Sequence, residues 1–253
     1  MARRLDRQQK SNGSATTPTL PSLDPGLHLV DLDERAVGTV QSLVVDHVLT
    51  SDQTGTTALW VDSNGVATTS SLTRLVPSMR LLDRIQIARA FTAYQHHSLV
   101  SQLPDVADDT ISLVVVPEFE CHYRSPDVRF GVAHDLVEAG VETLATLARD
   151  RNIPILVTRE TTAPLSAPIA EAADSVLECE LTRFGPRFVG EEFETLVYPV
   201  EGGFQTTLSY WAEILSARFQ AVQNGTVPDS PSVSLPTEPA TTSTLEVSID
   251  GTD

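Results

Sequence analysis

The apolar positions of the chain fall into short continuous runs separated by longer segments with helical spacing. The runs "GLHLV", "TALWVD", "RIQIARA", "ISLVVV" and "IPILVT" have the length and aliphatic content of strands buried on both faces. A helical pattern follows each of the first four. "GTVQSLVVDHVL" follows the first. "TSSLTRLVP" follows the second and is expected to stop at Pro77, and "FTAYQHHSLVSQL" follows the third and is expected to stop at Pro104. "GVAHDLVEAGVETLATLARDRN" follows the fourth, with apolar residues three and four apart from Val132 to Leu147. After the fifth run the period changes. "DSVLECELTRFGPRFV", "EEFETLVYPV" and "GGFQTTLSYW" predict a strand meander with turns at Gly185-Pro186 and Gly202-Gly203, and a last helix from Tyr210 to Gln223. The expected fold is α/β: a mostly parallel twisted sheet flanked by helices, with a C-terminal antiparallel meander.

Composition sets the boundaries of that core. Residues 1–22 are rich in Ser, Thr, Pro and Gln, and carry Arg3, Arg4, Arg7 and Lys10; they predict a disordered basic arm. Residues 224–253 are acidic and rich in Pro, Ser and Thr, and predict a disordered tail. Residues 23–223 remain as one core domain. No internal repeat is present. No apolar window is long enough to span a membrane, the N-terminus lacks the apolar run of a secretory signal, and two cysteines make no disulfide framework; a cytoplasmic protein is expected.

The charge changes the picture more. Net charge is −17, from 34 acidic and 17 basic residues, and Lys10 is the only lysine. This balance matches proteins of extreme halophiles, in which molar salt shortens the Debye length to roughly 3 Å and silences self-repulsion. It also leaves little surplus positive charge for phosphate neutralisation, so strong unaided DNA binding is not expected.

Several segments together resemble the RecA/RadA recombinase core, on its archaeal RadA/RadB side. "TALWVDSNG" is similar to the family's second strand, "RIQIARAFTAYQHHSLVSQL" to its strand and helix with an Ala-Arg-Ala-aromatic step, and "ISLVVVPEFECHYR" to the Walker B strand and its continuation. "ETLATLARDRNIPILVTRE" resembles the long helix and the strand after it, and "DSVLECELTRFGPRFV" the later hairpin. The order and spacing of these segments, over residues 26–210, carry the resemblance. It implies a RecA-like fold and a setting in DNA recombination, repair or replication.

Against that family's pattern the chemical positions are altered. In the window "DERAVGTV", Asp33 stands at the first glycine of the phosphate loop and Gly38 at the last, while Thr39 replaces the lysine and Val40 the magnesium-binding hydroxyl. Such a loop works by presenting backbone N–H groups and a lysine charge to phosphate oxygens. Asp33 and Glu34 put negative charge there instead. The strand-two glutamate that orients water aligns with Asn64, and an amide is no general base near neutral pH. The Walker B aspartate aligns with Pro117; Glu118 is next to it, but a neighbouring strand residue is expected to face the other way. The Thr-Asn-Gln sensor becomes Thr158-Arg159-Glu160. The following loop, "TTAPLSAPIAEAA", is short and has no basic residue, and no counterpart of RadA's separate helix-hairpin-helix domain is expected, so filament formation is not expected.

Other constellations are weaker. His96-His97 is expected on a helix surface, because adjacent helical residues diverge by about 100° and cannot share a zinc ion. Cys121-His122 has no partners at metal-ligand spacing. Cys179 fits a small core residue. Asp46-His47 has no nucleophile placed beside it. Arg183 and Arg187 are expected at a hairpin turn. Tyr123, Arg124, Arg129 and Phe130 mix charge with aromatic rings; such a set stacks on single strands or builds a protein interface, and the acidic surroundings favour the interface.

The sequence therefore leads to an expectation of a catalytically inactive RecA/RadA-like protein with no cofactor and no metal, whose partner is a protein, either an active recombinase or a replication or repair factor. Two alternatives stay open. One is a divergent ATPase or nucleotide sensor using Glu118. The other is a single-stranded DNA-binding accessory protein using the basic arm with Arg124 and Arg129.

Overall fold

The computed structural model describes residues 20–33, 36, 38–51, 56–159, 164–182, 185–190, 194–196, 207–225 and 232–233. The elements run in the order β1 (Ser22–Leu23), β2 (Gly26–Leu32), α1 (Thr39–Thr50), β3 (Thr57–Asp62), α2 (Thr69–Leu75), β4 (Ile85–Arg89), α3 (Ala93–Val106), β5 (Ile111–Val116), α4 (Phe130–Arg151), β6 (Pro154–Thr158), α5 (Ala167–Ala172), β7 (Ser175–Thr182), β8 (Gly185–Val189), β9 (Glu194–Leu196), α6 (Thr207–Gln223) and β10 (Ser232–Val233). Eight strands form one sheet in the order β4-β3-β5-β6-β2-β7-β8-β9. All pairs from β4 to β7 are parallel, and β7-β8 and β8-β9 are antiparallel. The five expected apolar runs are β2 to β6 of this set; β2, β3, β5 and β6 are buried by helices on both faces, whereas β4, expected to be buried, is the edge strand and is exposed at every position after Ile85.

Each face has its own core. On one side α1, α2 and α6 pack through Val44, Leu72, Trp211 and Leu215 around Trp60. On the other, α3, α4 and α5 pack through Val100, Val137, Leu144 and Ile169 around Val114 and Ile155. Gly140 permits a close approach there, since a Cβ on it would come within 2.9 Å of the Phe119 ring. Asn152 ends α4 in the left-handed conformation at φ 53.

The structure departs from the expected elements at several points. Helix α3 continues past Pro104 to Val106, because a proline in the last turn removes only one ladder bond. Gly185 and Pro186 are strand residues, with Gly185 opposite Thr182; Pro186 lies beyond the stretch of β8 that pairs with β9, where no ladder N–H is needed. Arg187 likewise sits in β8 and forms a cross-strand pair with Glu180 at 2.8 Å, while Arg183 lies outside the described residues. The segment Thr207–Trp211 begins α6 instead of ending a strand. Trp211, Ile214, Leu215 and Arg218 recur at helical spacing and are all buried, and that burial outweighs the strand propensity of the local sequence. The arm and tail meet: Ser22–Leu23 pairs in parallel with Ser232–Val233, and Leu20 is fully buried. Residues 1–19 and 234–253 lie outside the described residues. No helix among the described residues is long and apolar enough to cross a membrane.

Candidate functional site

A cleft of about 420 Å³ opens at the C-terminal ends of β2, β3, β5 and β6, and Asp33, Gly38, Thr39, Val40, Glu118 and Arg159 are among its walls. Strand β2 leads to α1 on one face of the sheet, while its neighbour β6 leads to α5 on the other. Parallel α/β sheets bind ligands at such a switch point. The cleft therefore gathers the positions that the sequence singles out on separate segments.

The junction from β2 to α1 ends, as a phosphate loop does, in a left-handed glycine. Gly38 adopts φ 89 just before the helix, a conformation that costs a residue with a Cβ about 1 kcal/mol or more. Two described N–H groups of this loop are engaged within it. The Ala36 N–H donates to the Asp33 carbonyl at 2.8 Å, and the Thr39 N–H points at the Ala36 carbonyl at 3.4 Å. The Thr39 hydroxyl also donates to that carbonyl, at 2.7 Å. Thr39 is thus buried and turned back on its own loop. Its oxygen lies 3.7 Å from the Cys179 sulfur, whose burial pushes the thiol pKa up to about 12. Val40 is buried as well. Glu34 and Arg35 of this loop lie outside the described residues.

Glu118 does not face away from the cleft as strand alternation predicts. Strand β5 ends at Val116, Pro117 is buried, and Glu118 turns through φ 48. Two bonds hold that turn: the Glu118 N–H donates to Thr158 Oγ1 at 2.8 Å and the Phe119 N–H to the Thr158 carbonyl at 3.0 Å. The Glu118 carboxylate then accepts from Asn64 Nδ2 at 2.8 Å. Asn64 and Glu118 thus form one hydrogen-bonded pair, with Glu118 on the cleft wall.

Arg159 is a cation in the cleft wall whose charge is already engaged. It pairs with Asp31 of β2 through two bonds of 2.8 and 2.5 Å. Asp31 was not legible as a site residue, since 128 positions separate it from Arg159. Below the rim, buried Asp62 accepts from the Ala67 N–H at 3.0 Å and from Arg89 Nε at 2.7 Å, fixing the loop that carries Asn64. Glu160 lies outside the described residues.

No family model matches the chain, and no curated protein does. Among solved structures it is similar to the crystal structure of the RadB recombinase, with a TM-score of 0.54 and 18% identity over 66% of this chain and 81% of that one. The fold is RecA-like. At that identity the likeness establishes the architecture and leaves the chemistry to the residues themselves.

The second group of singled-out residues does not share the RecA-like cleft. Tyr123 is no surface contact: it is 1% exposed and packs against Phe119, with its hydroxyl 2.8 Å from His96 Nδ1. His96 in turn is fully buried and not a surface residue, because it faces the cluster beneath the 3₁₀ turn Cys121–Arg124. His122 places Nε2 3.1 Å from the Ala90 carbonyl. Arg124, Arg129 and Phe130 are exposed. Asp46 is not an acid–base partner of His47; it is buried in a salt bridge to Arg218 of α6, which the sequence reading missed.

Proposed function

We propose that this is a RecA-like protein that does not hydrolyse nucleotide and acts by binding other proteins, as an accessory factor in DNA recombination, repair or replication. One observation carries the reading. The cleft in which a RecA-like core would hold a triphosphate presents the Asp33 and Glu118 carboxylates, a self-bonded Thr39, and an arginine already paired with Asp31. A charge-assisted hydrogen bond contributes roughly 1.5–3 kcal/mol, so replacing the lysine by Thr39 removes a large part of any phosphate affinity. Two carboxylates then oppose an incoming anion. The setting in DNA metabolism is taken from the resemblance to recombinases.

The test is equilibrium dialysis of the full chain with labelled ATP and magnesium in molar KCl. No saturable binding is expected up to millimolar nucleotide. Saturable micromolar binding would overturn the reading and favour a second one, in which Glu118 stands in for the lost Walker B aspartate. That alternative rests on the placement of Glu118 against the cleft and Asn64. In that event Glu118→Ala should weaken the magnesium-dependent part of binding and leave the fold intact.

A further inference from the structure

Strand β4 is an edge of the sheet: β3 pairs with one side of it, and among the described residues nothing pairs with the other. Every position after Ile85 is exposed, and Ile87 is 41% exposed. A largely apolar cavity of about 270 Å³ lies along this edge. Its apolar walls come from three neighbouring elements: Leu59 and Val61 of β3, Ala88 of β4, and Leu99, Leu103 and Val106 of α3. The register explains the grouping. Leu59 lies beside Gln86 and Val61 beside Ala88, and strand alternation sends all four toward the face on which α3 packs. That face is left open at its rim, where Val106 is 55% exposed. An apolar edge of this kind is a template for another strand, and proteins cover such edges or break them with proline or a bulge. Strand β4 has no proline, and its register with β3 is unbroken.

The C-terminal segment has the complementary pattern. Pro239 is the last proline of the chain, and residues 244–250 read "TLEVSID". Leu245, Val247 and Ile249 alternate with Glu246, Ser248 and Asp250, and Gly251 follows. That is the period of a strand with one apolar face. Residues 245–249 match the five residues of β4 in length. The tail is also long enough. Val233 pairs with Leu23, just ahead of β2. In the sheet order β2 is four places from β4, so at ~4.8 Å per strand a position outside β4 is about 24 Å away. Residues 234–244 span up to about 36 Å when extended. The strands from β4 to β2 are parallel, so the tail starts from the end of the sheet at which β4 begins. We propose that residues 244–250 add a strand to the outer side of β4 of the same chain, parallel to it. Leu245, Val247 and Ile249 then face the cavity, and the outward backbone groups of β4 gain partners. The chain's own tail is favoured over a second copy because a short tether sets its effective concentration in the millimolar range. The proposal does not depend on the state of the cleft, so nucleotide binding there would leave it standing.

Hydrogen exchange at β4 tests it. A chain ending at Ala240, and a full-length variant with Leu245→Asp, Val247→Asp and Ile249→Asp, both keep every described residue. In each, the outward N–H groups of β4 are expected to exchange about tenfold or more faster than in the wild type, while β5 and β6 keep their protection. A labelled peptide of residues 241–253 should bind the shortened chain, and should bind the full chain about tenfold or more less tightly, because the tethered copy already holds the edge. Val106→Asp in the shortened chain, at an exposed position, should weaken that peptide about tenfold. Unchanged exchange at β4 in both variants overturns the proposal, and so does failure of the peptide to bind the shortened chain. Protection of β4 that rises with protein concentration, together with a sedimenting dimer that the truncation abolishes, overturns the same-chain assignment in favour of a second copy's tail.

Discussion

Replacing Arg218 by Met is expected to destabilise the protein by roughly 3–5 kcal/mol, a large share of the 5–15 kcal/mol typical of a folded domain. Arg218 is 1% exposed and Asp46 3% exposed, and they join α6 to α1. Nε bonds one carboxylate oxygen and Nη2 the other, the latter at 2.9 Å. Burial pushes the Asp46 carboxyl up from its ordinary value, while the Arg218 charge and its hydrogen bonds pull it back. Removing the guanidinium leaves the first effect alone, so a carboxylate stays buried without a counter-charge. Two further measurements fix the cause. The double variant Asp46→Leu, Arg218→Met should recover most of the loss, because a packed apolar pair avoids the desolvation penalty altogether. The single variant's deficit should also shrink on acidification. Its Asp46 pKa lies above the unfolded value, and such a group favours the folded state at low pH and loses that contribution as pH rises through its folded pKa. If urea denaturation gives the single and double variants the same deficit, a stranded charge is not what Arg218 prevents.

This pair also marks the limit of what the sequence makes legible. Strands β2, β3, β5 and β6 are readable because a strand covered on both faces must be apolar at nearly every position, which leaves a local trace; β4 has that trace but is an exposed edge strand. Helix α4 is readable for the same kind of reason, since its apolar stripe recurs over many turns. The altered phosphate-loop positions are readable because Gly38 keeps both its place and its left-handed backbone. What fails depends on long-range meetings. Asp46 and Arg218 are 172 positions apart, and nothing near either announces the other. Asp31 and Arg159 meet only because β2 and β6 become neighbours. Glu118 escapes the alternation rule because β5 has ended two residues earlier, and a strand's end is set by tertiary contacts, here Thr158. The burial of His96 and Tyr123 is hidden similarly: polar residues on a helix read as solvated until a second polar group is brought beside them.

His96 gives the second large effect, and it depends on pH. Its Nδ1 is 2.8 Å from the Tyr123 hydroxyl, and its ring meets Phe119 edge-on with centroids 5.1 Å apart. The other nitrogen, Nε2, is buried with no hydrogen-bond partner among the described residues, so a second proton would find no acceptor. Burial, helped by the His122 and His97 charges, pushes the pKa of His96 down to about 3 from an ordinary 6.5. The unfolded chain therefore takes up a proton that the folded chain refuses between those values. The stabilisation is complete above pH 6.5 and is lost as pH falls toward 3, by about 1.4 kcal/mol per unit, or roughly 2.5–3 kcal/mol by pH 4.5. His47, pushed down to about 4 by burial, and buried His28 act in the same direction, while protonation of the many carboxylates relieves repulsion and acts against it. The wild-type profile alone is thus a sum of opposed terms. The difference from His96→Gln is cleaner, because Gln keeps a partner for Tyr123 and does not titrate, and every other group cancels. In molar KCl, the stability advantage of wild type over His96→Gln should fall by roughly 2.5–3 kcal/mol between pH 7 and pH 4.5. A constant difference would mean that His96 accepts its proton in the folded state, and that its burial beside Phe119 and Tyr123 is not what keeps it neutral.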